Sequence, residues 1–277
     1  MYDYETLRVT QDGNVVTAQL HRPESRNAIN MRMVNDLSGL IDTIEDASDV
    51  AVLVIRGNPD VFTCGIDLRD FAVHKKRDVY GLQKWERMCR ELEKLNKFTV
   101  AAVQGECTGG GFQLMLSCDA RVAERRATFC MNEVKLGFLP GMATFRLAKY
   151  IGLGRAKELI FTARRIRAKE AYRWGLVNRV CDQTSFEETV RETVRDLLPF
   201  HPVALELARR LLDESYATSY EDFLGHFLAA QHRAINSEAF DRLVAKASFS
   251  EARPEAPEVE MQETPGVVTS GRKPRAK

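Results

Sequence analysis

Three short segments carry residue types that could do chemistry. The first is GECTGGG, Gly105 to Gly111, which follows the apolar run Thr99 to Val103 and precedes FQLMLSC, Phe112 to Cys118. Three glycines between a buried strand and a helix let a ligand come close to the backbone. The helix start adds free N–H groups and the positive end of a dipole, a setting suited to a developing anion. A packing turn would use three glycines just as readily. The spacing is not the GxGxxG of a dinucleotide site, and no acidic residue ends a following strand in the required place. The second segment is FTCGIDLRDF, Phe62 to Phe71, a glycine-bearing turn after another apolar run. The third is MNEVKLGFLPG, Met131 to Gly141, whose carboxylate is Glu133. An apolar stretch follows Glu133, so a half-buried setting is expected, and burial raises a carboxyl pKa toward values useful for proton transfer. Tyr80 and Lys84 lie four apart and share a helix face. Cys107, beside the glycines, reads as a small buried thiol rather than a nucleophile.

The elements around these segments alternate. Val15 to Leu20 has strand periodicity, and Met31 to Ala47 is helical, with Met33, Leu37, Leu40, Ile41 and Ile44 on one face. Val50 to Arg56 is a β-branched run expected to be a strand buried on both faces. A loop, Gly57 to Cys64, and a charged, mobile segment, Asp67 to Arg77, lead to a helix over Tyr80 to Leu95. Thr99 to Val103 and Ala120 to Ala123 are strands flanking the Phe112 to Cys118 helix, and this alternation points to parallel βαβ units. After Gly154, helices are predicted over 155–163, 168–174, 185–198, 202–217 and 220–235, with Leu176 to Cys181 as a strand. From Glu251 the chain has four prolines and no aromatic residue, the composition of a disordered tail over 251–277.

Composition narrows the function classes. With 277 residues, 44% hydrophobic and 29% charged, the chain can bury one large α/β domain and a smaller appendage. A formal net charge of +1 gives no global basic field, so nucleic acid is not an expected partner. None of the six cysteines forms a CxxC pair, which suits reduced thiols and a cytoplasmic location. The five histidines lack metal-ligand spacing such as HExxH, so no metal is expected. No signal peptide is visible, and no apolar run reaches the ~20 residues needed to cross a bilayer, so no membrane association is expected.

Taken in order, five motifs resemble the crotonase superfamily of enoyl-CoA hydratases and isomerases. They are the HRPESRNAIN loop (21–30), the FTCGIDL turn (62–68), GECTGGGFQL (105–114), EVKLGFLPG (133–141) and RIRAKEAYRWGLVNRV (165–180). The resemblance runs from about residue 7 to 245. It implies an α/β fold, a crotonase-type ββα spiral core over 1–198, and a C-terminal helical region over 199–250 that covers the site or a neighbouring subunit. It also implies a homotrimer or a pair of trimers, whose interface would bury Leu205, Leu207, Leu211 and Phe223.

The same resemblance assigns roles. The backbone N–H groups of Ile66 and Gly110 would form an oxyanion hole for a thioester carbonyl, and losing one such donor costs on the order of 2.7–4 kcal/mol of transition-state stabilisation. Coenzyme A, or phosphopantetheine, would enter as part of the substrate, with no tightly bound cofactor. The 21–30 loop, Ala28 included, and Cys64 would meet it, and Arg22 and Arg26 could pair with its phosphates. Hydratases of the family use two glutamates, because water addition needs one group to activate the water and another to manage the α-carbon proton. Here the first position is Gln113, which cannot titrate, and the second is Glu133. The family's PGxGGTxRL is PGMATFRL here, one residue shorter, with Met142 and Ala143 in place of the glycine pair. Both departures weaken simple hydration. A single-carboxylate isomerase is the leading expectation. The alternative is decarboxylation of a carboxyacyl thioester on CoA or an acyl carrier protein. GFLPGM (137–142) and His232 resemble features of such decarboxylases in polyketide β-branching, and Tyr80 and Lys84 could take part. A non-catalytic thioester-binding scaffold is the reading from another class.

Overall fold

A computed structural model describes residues 2–73, 80–198 and 201–249; the tail expected over 251–277 and part of the charged segment before Tyr80 lie outside them. The chain is α/β. Its large sheet has the order β1-β2-β3-β5-β7-β10, from Leu7–Asp12, Val15–Leu20, Val52–Arg56, Phe98–Val103, Ala120–Glu124 and Arg179–Cys181. A smaller sheet takes β4 (Val61–Thr63), β6 (Glu106–Thr108), β8 (Thr128–Cys130) and β9 (Ile166–Arg167). Sequence neighbours β3/β4, β5/β6 and β7/β8 therefore divide between the two sheets, and the chain winds as a spiral of ββα turns. The β1–β2 and β8–β9 pairs are antiparallel and the others are parallel.

The helices are α1 (Met31–Glu45), α2 (Leu68–Val73), α3 (Tyr80–Lys94), α4 (Gly110–Leu116), α5 (Ala143–Ile151), α6 (Leu153–Thr162), α7 (Ala168–Arg173), α8 (Phe186–Leu197), α9 (Pro202–Glu214), α10 (Tyr220–Ile235) and α11 (Glu238–Phe249). Asn30 starts α1 by accepting from the Met33 N–H at 3.0 Å, which satisfies one of the helix's free donors. The expected face of α1 is buried, from Met33 to Ile44. One apolar cluster fills the space under α1, α3 and α4, and a second lies between the large sheet and α8.

Three expectations need correction. Strand β1 was not predicted, because LRVTQD has one buried position and five that are partly or fully exposed. The loop expected over Gly57 to Cys64 contains β4, and the glycine segment contains β6. Runs of three residues are too short for alternation to show. The start of the charged segment Asp67 to Arg77 is helix α2.

The chain divides into two compact units, 1–234 and 235–277. Within the first, α9 is pinned to the core by Arg209, which donates to Asp119 at 2.9 and 2.7 Å and to the Lys97 carbonyl at 3.0 Å. Helix α11 is described in the second. No helix among the described residues is long and apolar enough to cross a membrane.

Candidate active site

Two turns from different layers meet at the mouth of α4. The 21–30 loop and the 62–68 turn are joined by a parallel bridge at Ile29 and Ile66. The Ile29 N–H donates to the Gly65 carbonyl and the Asp67 N–H to the Ile29 carbonyl, each at 2.8 Å. This pattern uses the groups on either side of Ile66 and leaves the Ile66 N–H with no acceptor among the described residues. Gly110 is the first residue of α4, where helical N–H groups have no intrahelical partner. Its N–H likewise has no protein acceptor among the described residues. The two positions adjoin: a Cβ added to Gly110 would lie 3.7 Å from the Ile66 nitrogen.

Glu133 opens a short 3-10 turn, Glu133–Leu136, and is 6% exposed. Both its carboxylate oxygens are buried without a hydrogen-bond partner among the described residues. Burial holds its carboxyl above the ordinary carboxylate range. It faces the start of α4, since a Cβ on Gly109 would sit 3.1 Å from Glu133 Oε1. Gly109 adopts φ +55°, which glycine reaches without strain, and its missing side chain leaves the carboxylate its place. Gln113 lies one helical turn beyond Gly110 on the same face, is 2% exposed, and has an unpartnered Oε1. Buried polar groups normally find partners. The Glu133 carboxylate and the Ile66 and Gly110 N–H groups thus surround one cleft without partners among the described residues, whereas Gln113 is not in its lining.

Several sequence-predicted residues come together here. Ala28, Cys64, Ile66, Gly110 and Glu133 line one cleft of about 360 Å³, with Phe138 on its wall. The others lie elsewhere. The Arg22 guanidinium donates to the Ala28 carbonyl and pairs with Asp67 at 3.1 Å. Arg26 pairs with Glu106, its side chain outside the cleft lining. Tyr80 is exposed at the start of α3, and the Lys84 ammonium sits 5.0 Å from its ring centre. His232 is exposed on α10, and none of these three lines the cleft.

Other residues went unrecognised in the sequence. Arg69 lines the cleft and pairs with Asp67, whose carboxyl is held below its usual range by Arg69 first and Arg22 second. The close spacing of Asp67 and Arg69 in the turn was the available signal. Glu86 on α3 was also missed. Its signal was the repeat Glu86, Glu93, two turns apart on one face, opposite Arg146.

This site sits on a known framework. The family model for enoyl-CoA hydratase/isomerase matches residues 10–255. A short-chain-enoyl-CoA hydratase of Clostridium acetobutylicum is 32% identical over 249 residues, covering 88% of this chain and 94% of that protein. The crystal structure of an enoyl-CoA hydratase from Bacillus anthracis superposes with a TM-score of 0.82 at 29% identity, covering 88% of this chain and 96% of that one. A second solved structure is a putative enoyl-CoA hydratase from Thermobifida fusca in complex with acetoacetyl-CoA. It gives a TM-score of 0.74 at 31% identity, over 83% of this chain and 94% of that one. The fold is thus that of the crotonase-type hydratases, and this chain belongs to the enoyl-CoA hydratase/isomerase family, whose members act on acyl-CoA thioesters.

Proposed function

We propose that the chain is an acyl-thioester isomerase in which Glu133 is the single acid/base. The observation that carries this reading is the Glu133 carboxylate: buried, unpartnered, and set against the Gly109–Gly110 turn. A 3-enoyl thioester binds with its carbonyl oxygen between the Ile66 and Gly110 amides. Glu133 removes a proton from C2, and the carbonyl π electrons move onto the oxygen, where two N–H groups stabilise the enolate. The same carboxyl returns the proton at C4. The double bond moves from C3–C4 to C2–C3, and nothing is gained or lost. Gln113 cannot titrate, so the site lacks the second ionisable group that hydration uses at that position. The remaining parts of the reading are coenzyme A contacts at Ala28 and Cys64, a cytoplasmic location, and assembly as a trimer or pair of trimers.

A second reading is decarboxylation of a carboxyacyl thioester on CoA or a carrier protein, supported by the GFLPGM segment (137–142), whose Phe138 lines the cleft. There the C–CO2 bond breaks, its electrons form the enolate, and a proton donor quenches it. One experiment separates the readings. The protein is incubated with 2-enoyl-, 3-enoyl- and carboxyacyl-thioesters, and the products are weighed by mass spectrometry. A mass-neutral shift is expected. Loss of CO2 would establish the second reading, gain of water would establish hydration, and CoA-ester binding with no consumption would leave a scaffold.

A further inference from the structure

Ile66 lines two spaces. One is the cleft; the other is a pocket of about 40 Å³ bounded by Ile29, Met31, Val34 and Ile66, and by Leu82 and Trp85 of α3. The pocket adjoins the amide pair, because the Ile66 and Ile29 side chains reach to 3.1 and 3.2 Å of where a Cβ on Gly110 would stand. A water-sized group occupies roughly 10–15 Å³ of such space, so the pocket admits the tip of a chain, about three heavy atoms. Its polar side chains are Asn30, Asp70 and Trp85. The first two are in use: Asn30 Oδ1 accepts from the Met33 N–H at 3.0 Å, and Asp70 Oδ2 from the Met31 N–H at 2.8 Å. Trp85 is not. It is 3% exposed, and its Nε1 is the one buried polar side-chain atom of this lining without a partner among the described residues. Buried donors normally find acceptors, and an indole can only donate.

We propose that this pocket is a subsite for the tip of the acyl chain, and that Trp85 selects an acyl group ending in a hydroxyl. The inference rests on the thioester carbonyl lying between the Ile66 and Gly110 amides. A hydroxyl accepts from the indole N–H and keeps a proton of its own to give to the Asp70 carboxylate. A methyl tip fills the space and leaves the indole unpaired. A carboxylate tip accepts from the indole but meets the like charge of Asp70. The substrate class is then a short hydroxyacyl thioester, read at its tip by α3 while proton transfer takes place near its carbonyl.

Saturated esters test this without turnover. The full chain is titrated by calorimetry with pentanoyl-CoA and 5-hydroxypentanoyl-CoA, and with the hexanoyl and 6-hydroxyhexanoyl pair, as wild type and as Trp85→Phe. At one of the two lengths the hydroxy ester is expected to bind wild type about tenfold more tightly, and Trp85→Phe should bring the pair to within about twofold by weakening the hydroxy ester alone, the scale of one neutral hydrogen bond. Equal affinities in wild type at both lengths, as when a water alone satisfies the indole, would overturn the proposal. So would a preference that survives Trp85→Phe. If that variant does not fold, the indole N–H resonances of wild type decide. The chain has two tryptophans, and the Trp174 signal is the one lost in Trp174→Phe. The Trp85 signal should move when the hydroxy ester replaces the plain one, and an unmoved signal overturns the proposal. Failure to convert any 3-enoyl thioester sinks the isomerase reading and leaves these affinities standing. If no CoA ester binds at all, the thioester reading fails and this inference with it.

Discussion

Helices α4 and α10 place their side chains in opposite settings. All seven residues of α4 are buried, whereas none of the sixteen in α10 is. Helix α4 is the floor of the site. Its first N–H groups and the Gln113 side chain are held on buried backbone, so their dipoles are fixed before a substrate arrives, the arrangement that stabilises developing charge best. Helix α10 exposes Leu224, Phe227 and Leu228 beside His232. A charge there is solvated and screened. Activity should therefore be sensitive to small changes at the mouth of α4 and nearly indifferent to changes on α10.

The largest effect is expected at the carboxylate facing α4. Glu133→Gln should lower turnover by about 10²- to 10⁴-fold, the range for loss of a general acid/base, with the Kd for a CoA ester unchanged by calorimetry. Next comes the helix mouth itself. A methyl on Gly110 would meet Ile66 Cγ1 at 3.1 Å and Ile29 Cδ1 at 3.2 Å, pushing the two amides apart. Gly110→Ala should cost about 10²- to 10³-fold in kcat. If single-turnover rates barely change, the oxyanion hole does not lie between residues 66 and 110.

The contrast also explains what the sequence could and could not show. Helix periodicity placed α1, α3 and α10 within about two residues of where they lie, because apolar spacing reports which face is buried. That Ile66, Gly110 and Glu133 lie around one cleft was legible, because each stands at a motif position in a turn or at a helix start. Glu86 was not, since its partners, the Met142 N–H and the Arg146 guanidinium, lie far along the chain and reach it only in the fold. Arg22 shows the opposite difficulty. A guanidinium in a cofactor-like loop suggests a phosphate, yet here it donates to the Ala28 carbonyl of its own loop and pairs with Asp67 of the neighbouring turn. Residue type gave the charge, and only the fold gave its partner.

Burial of Glu133 also predicts two pH effects of smaller size. Proton abstraction needs the ionised form, so the loss of activity on acidification should occur above the ordinary carboxyl value of 4.5. For stability the sign runs the other way. The unfolded chain ionises this group at lower pH than the folded chain does, so its penalty is absent at low pH and grows as pH rises through that interval. Glu133→Gln should therefore raise Tm at neutral pH, and the gain should vanish near pH 4. A Tm that falls at pH 7 would mean that the carboxylate has a partner in solution.

The smallest effect is expected on α10, and it discriminates most sharply between the two readings of the chemistry. His232 lies outside the cleft lining on an exposed helix, and substitutions at such positions usually change stability by no more than about 0.5 kcal/mol. His232→Ala should leave kcat for a 3-enoyl thioester within about twofold, well below the factor general acid/base groups supply. A loss of a hundredfold in kcat, with Tm unchanged, would mean that α10 carries a proton donor after all. Combined with retained turnover in Glu133→Gln, it would transfer the acid/base role from the carboxylate facing the buried helix to the exposed one. The chemistry would then be decarboxylation, where enolate stabilisation by two amides suffices and the only proton needed is the one that quenches it.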